Sequence, residues 1–336
     1  MNHTLEHILP KVQKPARYTG GEYNSVVKDR SRVNVRYALC FPDTYEIGMS
    51  NLGCRILYGV INERPDLWCE RCFAPWGDME DQLRREGLLL YGLESGDPIA
   101  EFDIIGFSLG YEMAYTNVLN MLDLAGLALR SADRADFSPL IVAGGTCCYN
   151  PEPLAPFVDF FVLGEGEEVT LEYIDLYRQA RDEGWSKEEF LLEASKIEGI
   201  YVPSLYEPVY RADGTLEEVK ALEGAPELVT KRIIQNMDDA YFPVKTIIPS
   251  TEIVHDRVML ELFRGCIRGC RFCQAGYAYR PVRSRSPELL AKYGKAACED
   301  SGYQEMTLSS LSSTDYPDLL PLCDELLDYC APRDIG

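Results

Sequence analysis

Histidine is nearly missing from this chain: three residues in 336, at positions 3, 7 and 255, and none between residues 34 and 254. A histidine-rich metal centre is therefore excluded. Basic side chains are also few, 33 Lys and Arg against 54 Asp and Glu, which sets the formal net charge at −21. A surface this acidic speaks against non-specific binding to nucleic-acid backbone or anionic lipid, though not against a local basic site. No stretch approaches the roughly 18 consecutive apolar residues that a membrane span needs. The N-terminus, MNHTLEHILPKVQKPARY, is polar where a secretion signal requires an apolar run. The expectation is a cytoplasmic chain with no membrane partner.

What remains describes an ordinary folded protein, 46% hydrophobic and 26% charged, with 21 Tyr and 12 Phe. Its length exceeds what a single core usually serves, so more than one domain is expected. Twelve cysteines in a cytoplasmic chain read as thiols or metal ligands, not as a disulfide framework.

Residues 1–33 are mixed polar sequence with Pro10, Pro15 and Gly20-Gly21, an N-terminal arm. Apolar runs at Val35–Phe41, Trp68–Phe73, Ile104–Leu109, Leu140–Ala143 and Phe160–Leu163 then alternate with helical patterns near 50–63, 76–87, 113–126, 152–157 and 167–183. Such alternation predicts an α/β, doubly wound parallel sheet over 34–184, with ligands at the carboxyl ends of its strands. Residues 185–250 break the rhythm. A charged helix precedes Ile200–Tyr210, Asp213-Gly214 and Leu216–Leu222, a hairpin signature inside a proline-rich connecting region. Over 251–336 the alternation resumes, with strands at Arg257–Phe263 and Glu305–Leu308 and helices at 286–300, capped by Ser286, and at 317–329.

Directly after the first of these strands stand Cys266, Cys270 and Cys273, spaced C-x3-C-x2-C, with the aromatic Phe272 before the last. Gly265 and Gly269 let the loop fold around a bulky inorganic core. Three thiolates with no fourth in register suit a [4Fe-4S] cluster with one iron left open, whereas a structural zinc ion normally takes four ligands. A zinc loop with a distant fourth ligand, or buried thiols alone, is the competing reading. From Leu262 to Pro287 there are six arginines (264, 268, 271, 280, 283, 285) and no acid. This local charge favours thiolates and would attract an anionic substrate, although about half of these arginines are expected merely to pair with acids elsewhere.

The stretch RVMLELFRGCIRGCRFCQAGYAYRPVRSRS resembles the opening of the barrel in radical S-adenosylmethionine (SAM) enzymes. The resemblance implies that Cys266, Cys270 and Cys273 hold the cluster and that its open iron chelates SAM. An electron from a reductant such as flavodoxin or ferredoxin would then cleave SAM to a 5′-deoxyadenosyl radical. Phe272 is implied beside SAM. In place of the family's glycine-and-acid motif after the second barrel strand, this chain has Leu308-Ser-Ser-Leu-Ser-Ser-Thr-Asp315. That makes the Ser309 and Ser310 hydroxyls the candidates for the SAM amino group, with turn hydrogen bonds as the alternative role.

Residues 34–170 resemble the cobalamin-binding domain found upstream of many such barrels, through FPDTYEIGMSNLG, FDIIGFSLGYE, PLIVAGGTCCYNPEPL and VDFFVLGEGEE. Carried onto this chain, the resemblance implies Tyr45, Gly48, Ser108, Gly144, Gly145, Gly164 and Glu165 as cobalamin-binding positions. The histidine-bearing loop that ligates cobalt from below in classical cobalamin domains is missing here, so the resemblance implies a lower face without a histidine ligand, as in other radical SAM relatives. A domain that kept the fold and lost the cofactor is the alternative.

Cys69-x2-Cys72 has redox-motif spacing but falls within a strand, which sends its side chains to opposite faces, so both read as structural. Cys147-Cys148 could be reactive but reads as two small loop residues, and His255-Asp256 is a candidate for positioning the cysteine loop. Only 63 residues follow Cys273, two βα units at roughly 30 residues or more each, so the expectation is that the chain is the N-terminal part of a longer protein or comes from a gene cut short. Taken together, the expected function is a radical SAM enzyme, cobalamin its second cofactor and its substrate unnamed. The alternative is a non-enzymatic iron–sulfur electron-transfer or sensing module with a vestigial cobalamin domain.

Overall fold

The computed structural model describes residues 3–134, 136 and 139–336. After a short helix α1 (His3–Glu6), the main sheet takes its strands from β1 (Val35–Phe41), β2 (Leu67–Phe73), β3 (Ile104–Ser108), β4 (Leu140–Gly144), β5 (Phe160–Val162) and β6 (Ile200–Tyr201). Their spatial order is β2-β1-β3-β4-β5-β6, the first five parallel. Every residue of β1 is buried although its side chains alternate between faces, so both faces of the sheet are covered. The covering elements include α2 (Tyr45–Met49), α3 (Leu52–Glu63), α4 (Gly77–Glu86), α5 (Tyr115–Leu124), α6 (Gly166–Glu183) and α7 (Lys187–Ala194). The chain is an α/β protein built on a parallel sheet. Its strand order reverses between β1 and β3, the place where such sheets bind ligands at their carboxyl ends.

The sequence predicted five strands; the sixth is the difference. Ile200–Tyr210 reads as one run, but its start pairs antiparallel with β5 as β6. Its end, β7 (Tyr206–Tyr210), forms a separate hairpin with β8 (Leu216–Ala221). Phe190, Leu191, Ile200 and Val202 join the first core, as do Leu5, Ile8 and Val12 of the arm. The arm runs beside edge strand β2. There Trp68 Nε1 donates to the Val26 carbonyl (2.9 Å) and Lys28 Nζ to the Leu67 carbonyl (2.6 Å), shielding what would be an open edge.

The C-terminal part has its own core around Leu260, Leu262, Leu290 and Leu322. Here β9 (Val258–Glu261) pairs in parallel with β12 (Met306–Ser309), and α9 (Pro287–Ser301) and α10 (Leu319–Cys330) pack together. Ser286 occupies the cap position of α9 without donating or accepting a capping side-chain bond. Its amide instead donates to Asp238 Oδ1 (2.7 Å). Between β9 and α9, β10 (Phe263–Arg264) and β11 (Arg283–Ser284) pair antiparallel, closing residues 265–282 into a stemmed loop that contains α8 (Gln274–Ala278). Among the described residues no helix is long and apolar enough to cross a membrane.

Candidate functional site

The three cysteines of the stemmed loop are free thiols, Cys270 exposed and Cys266 and Cys273 half-buried. Gly265 opens the loop with φ +90° and lies so near the Pro281 and Tyr279 carbonyls that a Cβ there would meet them at 2.6 and 2.9 Å. No other residue could make this turn. Among the described residues no three His, Cys, Asp or Glu side chains converge as a site for one metal ion. A cluster of four irons spreads its thiolates over separate corners and does not require such convergence. Three accessible thiols on one short glycine-bearing loop fit it in donor chemistry.

The arginines of this region divide by role. Arg264 holds Glu167 (2.6 Å) and Glu261 (2.9 Å), Arg268 pairs with Asp315, and Arg283 forms a two-pronged pair with Glu165 (2.6 and 2.8 Å). Arg285 is fully buried, donating to the Met237 and Ala240 carbonyls (2.5 and 3.0 Å) with Glu261 3.8 Å away. Arg271 and Arg280, on the loop itself, have no carboxylate partner among the described residues, and Arg280 lies over the Tyr277 ring. Four of the six, Arg264, Arg268, Arg283 and Arg285, thus have a carboxylate within 4 Å, one more than the half expected.

The loop is docked on the carboxyl edge of the main sheet. Thr146 Oγ1 and Tyr279 Oη share a hydrogen bond of 2.6 Å, and Tyr149 Oη donates to the Ala278 carbonyl (3.1 Å). Lys231 Nζ donates to the Ala278 and Arg280 carbonyls (2.9 and 2.5 Å). At this junction lies a cavity of about 260 Å³. Ser108, Gly144, Gly145, Gly164 and Glu165 line it from the sheet, and Glu261, Arg264 and Tyr279 from the loop's stem. Tyr37 and Tyr173 also line it, their hydroxyls 2.9 Å apart. Asn51 accepts from Cys54 N (3.0 Å) as the cap of α3, bringing Leu52, Gly53 and Ile56 to the same wall.

Five of the seven proposed cobalamin positions therefore meet at one place, and two do not. Tyr45 is buried on the β2 side, its hydroxyl donating to Glu22 (2.8 Å) and its ring edge-on to Phe73 at 5.3 Å. A side chain at Gly48 would collide with the same Phe73 ring. The segment after β1 turns toward β2 and the arm, away from the cavity, so both positions are packing positions. The glycines that do line the cavity also have neighbours of their own: a Cβ on Gly145 would stand 2.5 Å from the Leu109 carbonyl oxygen. Glu165 is engaged by Arg283 and by the Ile234 amide (2.6 Å). Pockets that bury a drug-sized ligand measure about 300–1,000 Å³. A cavity of about 260 Å³ thus fits an appendage of a group as large as cobalamin rather than its whole macrocycle.

At the end of β12, Ser310 Oγ bonds Ser313 Oγ (2.9 Å) and accepts from Ser312 N (3.3 Å), the turn role weighed for it. Ser309 faces Glu261 in register, and its hydroxyl has no partner among the described contacts. Phe272 is 92% exposed. Cys69 and Cys72 are buried in β2, with Cys72 beside Cys40 in register. Burial, together with Glu112, pushes the Cys147 thiol up to about 11, and burial raises Cys148 as well, so neither is poised to react. The His255 amide donates to Ser50 Oγ (3.0 Å), a contact with the sheet domain. Glu167, Glu261, Thr146 and Tyr279 were not singled out as site residues, although each lies within a segment that carries the resemblance.

Residues 53–203 match the family model described as radical SAM proteins, N-terminal, and residues 260–331 that of the radical SAM superfamily. An uncharacterized protein of Methanocaldococcus jannaschii is 26% identical over 294 residues, which are 87% of this chain and 52% of that protein. Among solved structures, the radical S-adenosylmethionine methyltransferase TsrM from Kitasatospora setae, with cobalamin and a [4Fe-4S] cluster bound, is similar with a TM-score of 0.51 at 12% identity. That match covers 88% of this chain and 53% of TsrM. TsrM with tryptophan substrate and the SAM analog aza-SAM gives a TM-score of 0.50 at 13% identity, over 89% of this chain and 51% of its own. At such identities the likeness is one of fold. The chain spans about half the length of the proteins it matches.

Proposed function

The chain belongs to the radical SAM superfamily, and from that premise we propose that it is the cluster-bearing part of an enzyme that reductively cleaves SAM, with cobalamin as a second cofactor. The observation that carries this reading is the docking of the cysteine loop: its stem and the sheet's carboxyl edge line one cavity through Arg264, Glu261 and Tyr279 on one side and Ser108, Gly144 and Glu165 on the other. Cys266, Cys270 and Cys273 are the residues that would hold a [4Fe-4S] cluster. Such a cluster, when held there, would supply the electron that cleaves SAM.

The residues of the chain do the rest. Arg264 and Arg283, gripped by Glu165, Glu167 and Glu261, fix both strands of the stem and so aim the loop. Arg271 and Arg280 leave positive charge on the loop itself, which offsets a thiolate-ligated cluster and attracts the SAM carboxylate. Ser309 offers a hydroxyl at the end of β12, next to the strand that leads into the loop. Ser108, Gly144, Gly145 and Gly164 form the part of the sheet edge against which cobalamin would lie.

Anaerobic reconstitution tests this. The parent chain should take up iron and sulfide, and the iron spectrum should change when SAM is added. A Cys266→Ala/Cys270→Ala/Cys273→Ala variant that takes up as much iron and sulfide as the parent overturns the cluster assignment. A cluster indifferent to SAM favours the electron-transfer or sensing module instead.

A further inference from the structure

A second cavity, of about 450 Å³, lies behind α3. That helix turns two stripes outward. Leu52, Gly53 and Ile56 face the cavity at the sheet edge, while Arg55, Tyr58, Gly59 and Asn62, spaced as one helical face, line the second. Its other walls are Asn24 and Val26 of the arm and the segment 241–247 that leads toward β9.

Arg55 sets this cavity apart. Six arginines are buried among the described residues: 36, 55, 71, 134, 264 and 285. Five have a carboxylate within 4 Å, namely Glu70, Glu22, Asp159, Glu167 and Glu261 in turn. Arg55 has none. Its guanidinium donates once, from Nε to the Met49 carbonyl (2.8 Å), and Nη2 is enclosed without a partner. Asp256 acts on it only from beyond ion-pair reach. A buried charge without a counter-charge costs several kcal/mol, a cost that an anion bound in the cavity would offset. Thr246 Oγ1, also on the wall, is buried and unpartnered.

The remaining lining is largely apolar. Val26, Tyr58, Tyr241, Phe242, Val244 and Ile247 surround the space, and Gly59 lets the Tyr241 ring lie against α3 where any side chain would collide with it. The amide of Asn62 is already spent on the backbone of Cys69, and that of Asn24 on Thr246 and Asp300. Lys245 and Glu63 stand exposed at the rim with opposite charges. One buried cation above an aromatic-lined hollow describes the binding of one kind of molecule.

We propose that this cavity is a binding site for a small organic anion, an apolar body of aromatic size carrying one carboxylate or phosphate that meets Arg55. The site is separate from the cysteine loop, and its test needs no cluster. Thermal melting of the full chain is followed with phenylacetate, phenyl phosphate, benzyl alcohol and inorganic phosphate. One or both aryl anions should raise the melting temperature by about 2–4 °C or more at concentrations well above Kd. Which of the two does so separates a carboxylate ligand from a phosphate one. Benzyl alcohol and inorganic phosphate, each with half of the recognised chemistry, should do far less.

Arg55→Met should abolish the response while melting no lower than the parent, since it removes an uncompensated charge. Val244→Trp, which keeps Arg55 and fills the hollow, should abolish it too. The proposal is overturned if neither aryl anion stabilises the parent, if benzyl alcohol or inorganic phosphate stabilises it equally, or if the response survives in both variants.

Discussion

Glu165 and Arg283 stand 118 positions apart in sequence and meet as a two-pronged ion pair, Oε2 to Nη1 at 2.6 Å and Oε1 to Nη2 at 2.8 Å. Both side chains are 9% exposed. The pair joins the loop after β5 to the closing strand of the cysteine loop, so the sheet edge and the loop hold each other in place.

Glu165→Gln should loosen that grip. The amide keeps the size of the carboxylate but loses its charge, leaving Arg283 partly uncompensated in a buried position. The loss should be about 1.5–3 kcal/mol, the scale of hydrogen bonds to charged groups. It should appear locally: hydrogen exchange across residues 266–282 should accelerate while that of β1 and β3 stays unchanged. Unaltered protection of the loop would show that the Thr146–Tyr279 and Lys231 contacts suffice by themselves.

The arm carries a pH-dependent contact. Burial alone would raise the Glu22 carboxyl, but the Arg71 guanidinium (2.7 Å) and the Tyr45 hydroxyl outweigh burial and hold it below its ordinary 4.5. A carboxyl depressed in the folded state contributes stability that is present above its unfolded value and is lost as pH falls through the folded one. Urea midpoints should therefore be steady near neutral pH and fall below about pH 4.5. Glu22→Gln should be less stable at pH 7 and should show a shallower decline in acid. Glu94, which shares Arg71, is shifted upward by burial and contributes with the opposite sign, so the Glu22 variant is the one that isolates the effect.

How far such features could be read in advance depends on whether they are local. Val35–Phe41 was legible to the residue because a strand buried on both faces is largely apolar and bounded by polar neighbours, Arg36 being the one charge in it. The C-x3-C-x2-C spacing could be singled out because it lies within eight consecutive positions. Ile200–Tyr210 was not, since two residues of it are claimed by a distant strand. Tyr45 and Gly48 follow a strand at the correct edge, but position after a strand does not say toward which neighbour the chain turns. Phe73 and Glu22 decide that, and neither is near in sequence. The same holds for Arg55, whose significance lies in the carboxylate it lacks.

The two serines at the end of β12 should separate cleanly. Ser310 is committed to Ser313 and Ser312, whereas the Ser309 hydroxyl has no partner among the described contacts. Ser310→Ala should cost about 1 kcal/mol of stability, the scale of one hydrogen bond, and leave SAM binding as it was. Ser309→Ala should leave stability unchanged and weaken SAM binding to the reconstituted protein about tenfold, equivalent to about 1.4 kcal/mol. Equilibrium dialysis of SAM against both variants checks this, and the reverse ranking would assign the ligand contact to the turn.

Cobalamin offers the sharpest test of the sheet edge. No histidine lines the cavity among the described residues, and none occurs between residues 34 and 254. The nitrogen-bearing side chains on its wall, Asn51 and Arg264, are an amide and a guanidinium, donors rather than metal ligands. Of the three histidines, His255 has its amide tied to Ser50, one residue before Asn51 on the cavity wall. Cob(II)alamin added to the protein should bind with its lower axial position free of any imidazole from the chain. Electron paramagnetic resonance reads this directly, because an axial nitrogen splits the cobalt lines. With 15N-histidine incorporated, the spectrum should not change, and His255→Ala should bind cobalamin like the parent. A splitting that responds to the label and vanishes in His255→Ala would make His255 the axial ligand and reverse the expectation of a histidine-free lower face.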